Sequence, residues 1–271
     1  MQTNENRCVL AGVCKSKGTE VCSNRCSHFI SLHGHSAVGG RIGAAHVPED
    51  YRLLTVATMP TRETDVTITM AENEQKAAKL GRTIDGYTKT FERQFDVIER
   101  SEERIKSLFL FSKSPGTGKT TTASAILNSY IIAHYIGSLK RDRQALNRPG
   151  YFLDVNNWQT EYNAFNRPRV PDNIAGPAAD RYYKAMDHAQ KSPFVILDDI
   201  GVRDVVSDAF RGDLHAIINC RVANRLPTVY TSNVALDDLP RMFGEERLAD
   251  RMRDLCLNVT FGGESKRGIR R

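Results

Sequence analysis

Between Ser112 and Thr121 the chain reads SKSPGTGKTT, and further on comes FVILDDIG, which carries the carboxylates of Asp198 and Asp199. Gly116 and Gly118 allow successive backbone N–H groups to turn inward around an anion. A helix starting just after them would add the positive end of its dipole. Lys119 has the reach to meet the β- and γ-phosphates of a nucleoside triphosphate, and the Thr120 hydroxyl can ligate magnesium. Asp198 would hold the same Mg²⁺, directly or through water, while Asp199 would orient the attacking water. Glu fills that last role more often because its arm is longer, so slow turnover is expected. The chemistry implied is ATP binding and hydrolysis, with Pro115, Gly116, Thr117, Gly118, Lys119, Thr120 and Thr121 around the phosphates.

A phosphate loop of this kind needs a strand before it and a helix after it. The stretch SLFLFS (107–112) supplies the strand, and a helix follows to about Tyr135. The usual spacing GxxxxGK[ST] has a glycine where this chain has Lys113, at the loop entrance. Four more apolar runs read as strands: YFLDV (151–155), FVILD (194–198), PTVYTS (227–232) and LNVTF (257–261). Between them lie a polar, Pro-interrupted excursion to about Ser192, a helix over about Ser207–Asn224, and a helical stretch around Leu236–Leu255. Strands alternating with helices predict an α/β fold with a parallel five-stranded sheet between helices and the ligand at the strands' carboxyl ends. Ahead of it, residues 71–104 place Leu80, Ile84, Tyr87, Phe91, Phe95 and Ile98 at three- and four-residue steps, a helical period.

The whole chain has 271 residues, 40% hydrophobic and 26% charged, the balance of a globular protein with one large and one small domain. It contains no apolar run of about 18 residues, so no membrane span is expected. The N-terminus is polar and cysteine-rich instead of basic then apolar, which excludes a secretory signal and predicts a cytoplasmic protein. A net charge of +6 is compatible with nucleic-acid binding without establishing it. Lys140, Arg141, Arg143, Arg148, Arg167 and Arg169 alternate with Tyr151, Trp158, Tyr162 and Phe165. That mixture suits a groove for single-stranded DNA; it equally suits core aromatics beneath surface arginines. Cys8, Cys14, Cys22 and Cys26 follow the spacing C-x5-C-x7-C-x3-C. In a cytoplasmic protein four thiolates point to a structural zinc site, in which His28, His33 or His35 could replace one cysteine. A reduced, metal-free cluster is the alternative. Residues 1–52 have too little core to fold alone without a staple, which favours the metal. The expected organisation is a zinc-binding N-terminal domain (1–52), a linker with short extended pieces (53–75) and a catalytic domain (76–271).

Two further segments narrow the class. LPTVYTSN brings Thr231, Ser232 and Asn233 to the end of a strand, where a polar tip can touch the γ-phosphate or the attacking water. GEERLADRMRD (244–254) places Arg247, Arg251 and Arg253 on one short helix. With LDDIG and FGGESKRG, these segments resemble the DnaC/DnaI-type helicase loaders within the IstB/DnaC group of AAA+ ATPases. The resemblance covers roughly residues 75–271 and is strongest after Phe194; the cysteine-bearing N-terminal segment is also similar to DnaI-like loaders. It implies that Asn233 is sensor 1, that Arg251 is an arginine finger acting in trans, and that Arg267 is the sensor-2 arginine. It implies no sizeable lid, since the chain ends soon after the last strand. It further implies a DNA-replication factor of the primosome. Such a factor binds the replicative DnaB-type hexameric helicase through its N-terminal region, self-associates as a ring or spiral, and holds single-stranded DNA. It loads the helicase there, with hydrolysis driving release. An IstB-type transposition ATPase shares the core; the cysteine-rich segment favours the loader. A zinc-containing DNA-binding regulator using ATP as a conformational ligand would have no use for a trans arginine.

Overall fold

The computed structural model describes residues 3–69, 74–95, 104–201, 207–240 and 246–265, with side chains left aside at 246–249. The chain divides into two compact units, one of residues 1–63, 79–105 and 121–152, the other of 64–78, 106–120 and 153–271.

A seven-stranded sheet, most of whose strands lie in the second unit, is formed by β1 (Asp65–Thr69), β2 (Gln75–Lys79), β3 (Ser107–Phe111), β4 (Gly150–Asp154), β5 (Phe194–Asp198), β6 (Thr228–Ser232) and β7 (Cys256–Phe261), in the order β2-β1-β7-β3-β6-β5-β4. Strand β3 runs parallel to β6 and β7, and β5 parallel to β6. Every residue of β5 and β6 is buried, as expected for strands covered on both faces. All five expected strands form, but the sheet has seven strands and is mixed. Strand β1 pairs antiparallel with β7, matching Val66 to Phe261 and Ile68 to Val259. The added pair covers an edge of β7 whose N–H and C=O groups would otherwise face solvent. Strand β2 takes the first part of the segment with helical period. Only α3 (Leu80–Thr88) and a 3-10 turn over Lys89–Phe95 realise that period, and Ile98 lies outside the described residues.

The excursion before β5 is also helical. It forms α5 (Val155–Asn166) and α6 (Asp172–Lys191), with Pro177 inside α6. Trp158 stacks on Tyr182 with centroids 4.5 Å apart and planes 4° apart, and its indole N–H donates to the Tyr182 carbonyl at 3.0 Å. Tyr151, Trp158 and Tyr162 are therefore core residues, while Phe165 is half-buried.

In the first unit, α1 (Ser27–His33) and α2 (Gly40–Ala44) pack together with the long α4 (Lys119–Lys140) from Thr121 onward. Asn128 donates to the carbonyls of Tyr51 and Leu54 at 2.8 and 2.7 Å. Arg41 donates to Ala145 and Leu146 carbonyls, and Arg148 to that of Ala44. Phe29, Leu32, Ile42, Val47 and Met59 are buried here. The N-terminal segment thus packs as part of a larger unit with residues 79–105 and 121–152.

Candidate nucleotide-binding site

Parallel pairing of β3, β5 and β6 brings their carboxyl ends together, and the expected site residues gather there. Gly116 (φ 77°) and Gly118 (φ 99°) lie where a side chain would be strained, so the loop needs glycine at both. Lys119, 5% exposed, donates to Asn233 Oδ1 at 2.5 Å and to the carbonyls of Ser114 and Ser112 at 3.3 and 3.5 Å. Thr117 Oγ1 is buried with no hydrogen-bond partner among the described residues, a polar atom that a phosphate oxygen would satisfy.

The Thr120 hydroxyl donates to Asp198 Oδ2 at 3.1 Å, and the Thr231 hydroxyl to Asp198 Oδ1 at 2.7 Å. Burial pushes the Asp198 carboxyl up to about 7, the neighbouring Asp199 adds to this, and the two hydroxyl donors oppose it. A buried carboxylate with a negative neighbour is a site that a divalent cation would stabilise. The donor set of Thr120 and Asp198 fits Mg²⁺, and the Lys119 loop fits the phosphates of ATP. Asp199 follows in the left-handed region (φ 58°), with its N–H donating to Thr231 Oγ1 at 2.9 Å.

Lys119, Thr120, Asp198 and Asn233 thus meet, joined by direct hydrogen bonds, with Asp199 adjacent. Pro115 is exposed and Thr121 buried. Arg251, on α8 (Glu246–Leu255), is exposed and donates to Asn219 Oδ1 on α7 (Asp208–Ala223) at 2.8 Å. Arg267 lies outside the described residues. The residue whose importance exceeds its sequence signal is Thr231: alternation along a strand shows which face it occupies but not which neighbouring carboxylate its hydroxyl reaches.

Cys8, Cys14, Cys22 and Cys26 line one cavity of about 430 Å³. Even so, no group of three or more His, Cys, Asp or Glu side chains among the described residues stands ready to hold a metal ion. Burial pushes the Cys8 thiol up, a backbone hydrogen bond at Leu10 opposes this, and the other three cysteines lie near enough to add to the rise. The histidines are engaged or apart: His28 pairs with the Tyr135 hydroxyl at 2.8 Å, His33 accepts from Val9 N at 3.0 Å, and His35 is exposed. The four cysteines thus share one cavity without forming a ready metal-binding group among the described residues, and the expected zinc site is not confirmed. No described helix is long and apolar enough to cross a membrane.

No family model and no curated protein matches this chain. It is similar to the solved structure of DnaI, at 18% identity and a TM-score of 0.49, covering 81% of this chain and 94% of that one. It is similar to the DnaC helicase loader at 22% identity and a TM-score of 0.44, covering 67% and 88%. It is also similar to the replication initiator DnaA bound to AMPPCP and single-stranded DNA, at 13% identity and a TM-score of 0.45, covering 80% and 51%.

Proposed function

We propose that this chain is an AAA+ ATPase of the DnaC/DnaI helicase-loader type. The observation that supports the reading is the meeting of Lys119, Thr120, Asp198 and Asn233 at the carboxyl ends of β3, β5 and β6. Bound Mg²⁺–ATP supplies the reactive anhydride together with a cation that offsets its charge. Lys119 binds the phosphates, exchanging for them the carbonyls of Ser112 and Ser114. Thr120 and Asp198 hold the metal, Asn233 senses the γ-phosphate, and Asp199 orients the attacking water. Arg251 acts on a neighbouring subunit's site within a ring or spiral, and Arg267 completes the set in cis.

In this reading residues 1–52 grip a DnaB-type hexameric helicase, and the ATPase domain, with β1 added to its sheet, hydrolyses ATP and holds single-stranded DNA until hydrolysis releases the loader. Val13, Val21 and Val38 support the grip, since they are 65%, 66% and 55% exposed on that N-terminal segment. The test is light scattering on a gel-filtration column, with the full chain mixed with a DnaB-type helicase, with and without ATP. A joint complex supports the loader. Absence of one under both conditions sinks that reading and makes a transposase the next partner to try.

A further inference from the structure

Thr231 is buried where the Asp198 carboxylate meets the Asp199 backbone N–H. Its oxygen accepts from Asp199 N at 2.9 Å and its hydroxyl donates to Asp198 Oδ1 at 2.7 Å. A hydroxyl has one proton to give. The Asp199 N–H can only donate, so that proton is committed to Asp198. Thr231 is 0% exposed and Asp198 5%, so their bond is made away from solvent. The tie continues past it: Ile200 N donates to the Thr231 carbonyl at 2.9 Å, and the Ser232 hydroxyl to the Ile200 carbonyl at 2.7 Å. The turn after β5 is thus stitched to the end of β6. Asp199 sits in that turn with φ 58°, a conformation that a residue with a Cβ keeps only where its surroundings hold it.

We propose that Thr231 is a positioning residue of the ATPase site, fixing the metal-holding carboxylate of Asp198 and the backbone turn that aims Asp199. The inference rests on the nucleotide-site reading above and adds a residue to it. Thr120 holds the other oxygen of Asp198 at 3.1 Å, but it is also a metal ligand. Once Thr120 serves the metal, Thr231 keeps the carboxylate oriented. Valine at 231 has nearly the same shape but leaves the Asp199 N–H and Asp198 Oδ1 unpaired; serine keeps both bonds.

The test uses the full chain and a fluorescent ATP analogue, titrated in EDTA and then with Mg²⁺, alongside steady-state ATPase rates. Thr231→Val is expected to keep metal-free nucleotide affinity within about twofold and to need about tenfold more Mg²⁺ for half-maximal binding. Its kcat should fall by about tenfold or more with KM little changed, and Thr231→Ser should stay within about threefold of wild type. A valine variant with wild-type Mg²⁺ dependence and kcat overturns the proposal. So does equal loss of metal-free and metal-bound affinity, or a serine variant as impaired as valine. Should valine prevent folding, Thr231→Cys keeps the volume with a weak donor, and the same Mg²⁺ shift decides. A wild-type chain that binds no nucleotide overturns the site reading and this inference with it. Normal wild-type binding beside an unaffected valine variant removes only the role of Thr231.

Discussion

A buried ammonium must be matched at its N–H bonds, and Lys119 is met by one amide oxygen and two backbone carbonyls. Those three acceptors can be released to a phosphate, since Asn233 is half-buried and the loop carbonyls lie beside it. Lys119→Ala is therefore expected to lower ATP affinity by about a hundredfold or more, because charge-assisted bonds to phosphate are lost together. Unchanged affinity by fluorescence titration would remove the nucleotide site. The chemistry of Lys119, Thr120 and Asp198 was legible because a strand, a tight loop and a helix start leave those side chains few directions. The roles around Thr231 were not. They depend on β5 lying beside β6, with Leu197 opposite Tyr230, a register that no local pattern states.

At the scale of elements, α1 shows how a short amphipathic helix can carry a pH response. His33 is buried at its last turn, accepts from Val9 N, and lies against Phe29 with centroids 5.0 Å apart. Burial, assisted by the nearby positive Arg7, pushes His33 down from its ordinary 6.5 to about 4. A folded-state value below the unfolded one means the stabilisation is complete above about 6.5 and is lost as pH falls toward 4. His46 and His134 shift in the same direction through burial and nearby arginines, so the first unit should weaken steadily across this window. Denaturant unfolding at pH 7 and pH 5 should show a drop, with a visibly smaller drop for His33→Phe. An equal drop in both proteins would assign the response elsewhere. The apolar period of this region was visible in the sequence, but its packing partner was not. Asn128 and Tyr135, which hold the N-terminal segment, lie 77 and 107 residues along the chain from their partners Tyr51 and His28. Separation along the chain also explains why β1 and β2 read as linker and helix, since their edge-covering role exists only once β7 is in place. On the surface of this segment Val13 and Val21 are 65% and 66% exposed. Val13→Ser with Val21→Ser should leave ATPase activity intact and weaken helicase capture by about tenfold if they are grip residues. Undiminished capture would place the grip elsewhere.

The whole molecule carries a net charge of +6, and its proposed work depends on assembly. Arg251 is exposed on α8, yet its guanidinium is held by Asn219 of α7, which preorganises an otherwise floppy side chain. An arginine that merely makes a surface contact contributes little to stability, and its loss would be silent. One that serves a neighbour's phosphate site would instead govern turnover, with effects of about a thousandfold in rate for trans fingers. Arg251→Ala should then keep ATP affinity within about twofold and lose turnover almost completely. Mixing separates trans from cis. Lys119→Ala subunits have no working site but an intact finger; Arg251→Ala subunits have the reverse. If Arg251 acts across a subunit boundary, mixing these two inactive proteins in the presence of helicase and single-stranded DNA must restore a fraction of wild-type ATPase rate, rising with the share of mixed contacts. A cis role leaves every mixture inactive, because no subunit contains both groups. Such a result would remove the ring or spiral from the proposal while leaving the nucleotide site standing.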